Sequence, residues 1–112
     1  LCRLQEWPSF LQRSVENLHH TPVYEAMNGL NEFTTIGNLR YWDRTKDLNT
    51  ILTPVMITCG RYDELGPACA ETLHSGIEGA SMQVFEESAH VAHIEETEKF
   101  LECISKFLKT HD

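Results

Sequence analysis

The spacing of hydrophobic positions changes character near Pro54. Before it, apolar residues recur at helical intervals in short, polar stretches. Pro8 and Ser9 predict the opening of a helix through Phe10, Leu11, Val15 and Leu18, which share one face. Pro22 predicts a second, with Val23, Ala26 and Met27 turned inward and Gly29 as its stop. Asn31 to Gly37 reads as loop, Leu39 to Asp43 as a further helical turn, and Asp47 to Thr53 as the approach to the proline.

After Pro54 the apolar residues gather into short continuous runs. Val55 to Cys59, stopped by Gly60, has the pattern of a strand covered on both faces. Gly66-Pro67 opens a helix through Ala68, Cys69 and Leu73, which Gly76 and Gly79 break. Met82 to Phe85 predicts a second strand. Ile94, Leu101, Ile104 and Leu108, with Phe100 and Phe107 beside them, predict an amphipathic closing helix. Strand, helix, strand, helix is a βαβα unit, so the fold class is α/β with a parallel sheet. Two parallel strands are too few to cover both of their faces, which makes this half one end of a larger sheet.

Composition adds exclusions. With 112 residues, a formal net charge of −8 and nine scattered Lys and Arg, the chain lacks the basic clusters that phosphate contacts need, so no nucleic-acid partner is expected. No apolar run reaches membrane-spanning length and no signal peptide is visible, so no membrane association is expected. Cys2, Cys59, Cys69 and Cys103 form no C-x-x-C pair or regular framework. Cys59 and Cys103 read as small buried hydrophobes in a reduced, cytoplasmic chain. The first residue is Leu1 rather than Met, which points to a segment upstream.

Functional groups in open parallel sheets collect beyond the C-terminal ends of the strands. Asp63 follows Cys59 by four residues, and His90 follows Phe85 by five. Neighbouring strands about 4.8 Å apart would let the carboxylate reach the imidazole Nδ1. Nε2 would then be free to act as a base, in the Asp-then-His order that ends a Ser…Asp…His triad. The plainer alternative is that Asp63 caps the next helix and His90 is a solvated loop residue. His93 competes with His90 for the same role. His90-x-x-His93 with Glu95 and Glu96 also leaves a metal site open as a minor reading.

The surrounding words favour the first reading. Asn31-Glu32-Phe33-Thr34, Trp42-Asp43-Arg44-Thr45, Asp47-Leu48 and Pro54 stand in order before Gly60-Arg61-Tyr62-Asp63-Glu64. Val84-Phe85-Glu86, Ser88-Ala89-His90 and His93-Ile94-Glu95-Glu96 follow. Together they resemble the C-terminal portion of the proline iminopeptidase family of α/β-hydrolases. The resemblance implies that Asp63 is the triad acid and His90 the general base. It implies that residues 1–50 are largely part of a helical cap and connection, and that residues 51–112 are the C-terminal βαβα part of the hydrolase core. It also implies that Glu32 and Glu64 bind the cationic end of a peptide substrate with N-terminal proline, as charge-assisted contacts would. No metal or organic cofactor is expected.

One element of the family pattern is absent. No Gly-x-Ser-x-Gly elbow occurs, and none of Ser9, Ser14, Ser75, Ser81, Ser88 and Ser105 has the required glycine on both sides. Ser88 lies near His90 but on the same loop, without the sharp strand-to-helix turn that exposes a nucleophile. The oxyanion-hole segment is missing as well. The chain alone is therefore expected to be inactive. Alternatives are another hydrolase of the same fold, acting on esters, epoxides or carbon–carbon bonds, and a truncated, non-catalytic piece. The open sheet edge points to self-association or to the missing N-terminal half of the hydrolase as partner.

Overall fold

The computed structural model describes residues 6–18, 21–31 and 34–112, and divides into two compact units, residues 7–43 and residues 44–112 together with Glu6. In the smaller unit, α1 spans Ser9–Leu18 and α2 spans Pro22–Met27. Thr21 caps α2, its Oγ1 accepting from the Tyr24 N–H at 3.2 Å, while Pro22 occupies the first turn, where its missing N–H costs nothing. Gly29 has φ +125°, a conformation open to glycine, and lets the chain reverse. Ile36 and Gly37 then donate their N–H groups to the Asn28 carbonyl, closing the return. The helical turn expected over Leu39 to Asp43 is a pair of tight turns instead, Arg40 N–H to Gly37 O and Trp42 N–H to Leu39 O. The inward face expected of α2 is also corrected. Val23 is 66% and Met27 44% exposed, because a six-residue helix of under two turns presents no continuous stripe to cover.

The larger unit opens with a 3₁₀ helix at Thr45–Thr50, where the sequence pattern suggested only a lead-in. Strand β1 (Met56–Gly60), helix α3 (Gly66–Gly76) and strand β2 (Ser81–Phe85) follow. Gly76 supports the packing of the 3₁₀ helix on α3, since a Cβ there would lie 2.9 Å from Leu48 Cβ. β1 and β2 pair in parallel, with Ile57 opposite Met82, Cys59 opposite Val84 and Gly60 opposite Phe85. The expected βαβ unit is present, with α3 as its crossover.

Strand alternation assigns the two faces of the pair. Ile57 and Cys59 look toward α3, where Ala70 is buried. Met56 and Phe85 look the other way, toward the closing helix α5 (Thr97–His111): Met56 Sδ lies 3.5 Å from Cys103 Sγ, and the Phe85 and Phe100 rings are 5.6 Å apart. Cys59 and Cys103 are half-buried rather than buried as expected. The closing helix is not continuous. A short α4 (Ala92–Glu95) ends at Glu96, whose φ of −128° and ψ of 52° break the helix before α5 starts.

Each strand has one partner and one open edge among the described residues. Leu101 and Leu108 of α5 are each 58% exposed, and Leu65 is 63% exposed. An open two-stranded parallel sheet beside uncovered leucines is the pattern of a piece cut from a larger α/β core.

Candidate active site

Both strands run the same way, so the loops that leave Gly60 and Phe85 emerge at one rim. Glycine is required at the crossing. A Cβ on Gly60 would collide with the carbonyl oxygens of Ser88 and Ala89 and lie 2.7 Å from the Ser88 carbonyl carbon. With glycine there, the loops approach closely enough for backbone bonds. Arg61 N–H donates to Phe85 O at 2.9 Å, and Tyr62 N–H to Ser88 O at 3.0 Å. An exposed fork adds to these, Arg61 Nε and Nη2 donating to the two Glu86 carboxylate oxygens at 2.7 and 2.6 Å. That pairing holds the Glu86 carboxyl below its ordinary range and the Arg61 guanidinium above its own.

On this scaffold His90 Nδ1 lies 3.0 Å from Asp63 Oδ2. Asp63 Oδ1 accepts the Leu65 N–H at 2.9 Å, a local turn of the kind short acidic side chains make. The two readings of Asp63 thus share one side chain, one oxygen serving the turn into α3 and the other facing the imidazole. Their exposures differ in a way that matters. The Asp63 side chain is 11% exposed and the His90 side chain 48%, so the carboxylate is shielded while the ring remains open to solvent. A carboxylate only accepts, so the neutral ring carries its proton on Nδ1 and leaves the Nε2 lone pair available.

The competing candidates are elsewhere. His93 packs against Phe100 in a tilted arrangement, with 5.9 Å between ring centroids. Glu95 Oε2 accepts the Ala89 N–H at 2.7 Å, and Glu96 Oε2 accepts both the Glu87 N–H at 3.0 Å and the Ser88 hydroxyl at 2.6 Å. The carboxylates that the metal reading would use are therefore directed at the loop, and no group of three or more metal-ligating side chains occurs among the described residues. Ser88 is fully buried with its hydroxyl engaged, which removes it as an accessible nucleophile. Glu64 is exposed on the Asp63 loop, and Glu32 lies outside the described residues.

The anchoring roles of Ser88, Glu95 and Glu96 were not read from the sequence. The available signal was a serine two residues before the histidine with a Glu pair at the start of the following helix. Burial by itself would push the Glu96 carboxyl up, but hydrogen bonds from Lys99, Ser88 and Glu87 outweigh it and hold the group below its ordinary range. Burial, then the neighbouring Asp63, pushes the Cys59 thiol up. Cys59, Asp63 and His90 line a cleft of about 280 Å³ with Ile57, Leu65 and Cys69.

No protein-family model matches the chain. Proline iminopeptidase from Saccharolobus solfataricus is 43% identical over 108 residues, 96% of this chain and 35% of that protein. The crystal structure of proline iminopeptidase from Mycobacterium smegmatis superposes with a TM-score of 0.88 at 31% identity, covering 99% of this chain and 38% of that one. An esterase from Exiguobacterium antarcticum superposes with a TM-score of 0.70 at 30% identity, covering 94% of this chain and 38% of that one. The chain therefore spans a little over a third of the length of the relatives it matches. A parallel strand pair, helices of the α/β-hydrolase fold and sequence identity along nearly the whole chain agree: it belongs to the proline iminopeptidase family of α/β-hydrolases and corresponds to the C-terminal portion of such a protein.

Proposed function

We propose that this chain supplies the acid and the base of a serine peptidase that releases N-terminal proline from peptides. The 3.0 Å approach of His90 Nδ1 to a shielded Asp63 carboxylate carries the reading. An upstream serine attacks the carbonyl of the first peptide bond. His90 Nε2 takes the hydroxyl proton and later returns it to the leaving amine. Asp63 holds the ring in the right tautomer and stabilises the imidazolium while it exists. Glu32 and Glu64 bind the protonated imino nitrogen, residues 1–50 form part of a cap, and residues 51–112 complete the core. The remainder of the hydrolase is the partner of the open sheet edge, in preference to a second copy of this chain.

The test is hydrolysis of proline p-nitroanilide and of its N-acetyl derivative by the protein and by the 112-residue chain alone. The protein is expected to cleave the first and to lose the second, because acetylation removes the charge the glutamates accept. The isolated chain is expected to cleave neither, lacking a nucleophile. Equal rates on both substrates, or specific turnover by the isolated chain, overturn the proposal. The structural likeness to an esterase supports a second reading, ester hydrolysis at the same acid–base pair. Cleavage of p-nitrophenyl esters with no turnover of the proline substrate would favour it.

A further inference from the structure

The base stands on a loop whose ties converge on one buried group. The Glu96 side chain is 6% exposed. Its Oε2 accepts the Ser88 hydroxyl at 2.6 Å and the Glu87 N–H at 3.0 Å, while Oε1 takes Lys99 Nζ at 2.7 Å on the solvent side. Ser88 in turn accepts the Tyr62 N–H on its carbonyl at 3.0 Å, one residue before Asp63. Glu95 secures the next residue by accepting the Ala89 N–H at 2.7 Å. Ser88 is thus held by its side chain to Glu96 and by its backbone to the Asp63 loop, two residues before the imidazole. The helix breaks at Glu96 itself, so this residue departs from regular helix geometry at the point where its carboxylate meets the loop.

We infer that Glu96 is a positioning residue for His90, its carboxylate fixing residues 87 and 88 so that the imidazole meets Asp63 in hydrogen-bonding register. The inference rests on the proposed acid–base pairing of Asp63 and His90. Glu96 acts through Ser88 and the loop backbone, by accepting hydrogen bonds. Its salt bridge to Lys99 lies on the exposed side and is dispensable for this role.

The test reads the His90 ring in protein labelled with ¹⁵N-histidine, where a carboxylate-bonded Nδ1 proton gives a downfield resonance and a single-tautomer pattern. Glu96→Ala is expected to lose that signature while His74, His93 and His111 keep their shifts. Glu96→Gln, which retains an acceptor oxygen for Ser88 and Glu87, is expected to restore it, and Lys99→Met to leave it unchanged. A wild-type His90 signature in folded Glu96→Ala overturns the inference, as does a Glu96→Gln variant no better than alanine. If Glu96→Ala unfolds, Ser88→Ala decides: retention of the wild-type signature there overturns it equally, and selective loss supports it. Asp63→Asn separates the two levels. An unchanged His90 in Asp63→Asn removes the acid–base pairing itself, whereas loss in Asp63→Asn with retention in Glu96→Ala removes the role of Glu96 alone.

Discussion

The two loops at the rim of the sheet are held by different means. The Asp63 loop runs over the surface from Gly60 into α3. Arg61, Tyr62, Glu64 and Leu65 are exposed, and Asp63 makes its own local turn. The His90 loop is an inlaid segment. Ser88, Ala89, Val91 and Ala92 are buried, and Glu95 at the end of α4 and Glu96 at the break before α5 accept its N–H and hydroxyl groups. A mobile imidazole beside a fixed carboxylate would spend little time in register. Here the loop carrying His90 is the more fixed of the two, and the exposed ring is the part left free to meet another group. Buried donors need partners, and a charged acceptor is a strong one. The inlaid loop is consequently the more vulnerable to single substitutions.

The largest effect is expected where the loops cross. Gly60→Ala forces a methyl group against the Ser88 and Ala89 carbonyls, backbone atoms that cannot swing aside. Overpacking of this kind costs about 3 kcal/mol. A urea midpoint shift of that size, with the His90 Nδ1 signal lost in the folded remainder, would show that one contact governs both loops. A midpoint like that of the parent chain would mean that the loops part without cost.

Ser88→Ala is the next in size and separates the loops. It removes a hydrogen bond between a fully buried hydroxyl and a carboxylate, a type contributing about 2 kcal/mol. Hydrogen exchange is expected to rise at the amides of 87–89 and at Tyr62, whose N–H donates to Ser88, and not at 63–65. Equal loosening of both segments would dissolve the distinction between an inlaid and a surface loop.

Titration offers a milder way to loosen the same loop. The Glu96 carboxyl, with an ordinary value of 4.5, is lowered in the folded protein. Its contribution to stability is therefore fully present above pH 4.5 and is lost as pH falls through the lowered value, because the unfolded chain binds the proton first. Thermal midpoints measured downward from pH 5 should fall more steeply for the parent than for Glu96→Gln. Parallel curves would show that Glu96 has no such linkage.

Much of this site was legible in advance, for a definite reason. Val55 to Cys59 and Met82 to Phe85 are short apolar runs ended by Gly60 and Glu86, a pattern that fits a buried strand. Once both strands are parallel, their C-terminal loops share a rim whatever their sequences, which brings Asp63 and His90 together before any coordinates are known. The break at Glu96 was not legible. Glutamate is a good helix former and the apolar spacing runs on through Ile94 and Leu101, so local preference pointed to one helix. Hydrogen bonds to a loop eight residues earlier outweighed it. The 3₁₀ helix at Thr45–Thr50 was missed because it has no apolar period, only Leu48 reaching Gly76. Glu32 rests on the resemblance alone.

The smallest expected effect belongs to the most conspicuous bond between the loops. Arg61 and Glu86 form a two-pronged pair at 2.6 and 2.7 Å, yet their side chains are 43% and 59% exposed. At such exposure water and salt screen the attraction, and holding two long side chains in one geometry costs rotamer entropy. The loops already meet through Arg61 N–H to Phe85 O and Tyr62 N–H to Ser88 O, neither of which needs the guanidinium. Arg61→Ala is therefore expected to leave the thermal midpoint and the His90 Nδ1 resonance within error of the parent at moderate salt. If it moved His90 as far as Ser88→Ala does, the surface would be carrying the register and the buried carboxylate would not.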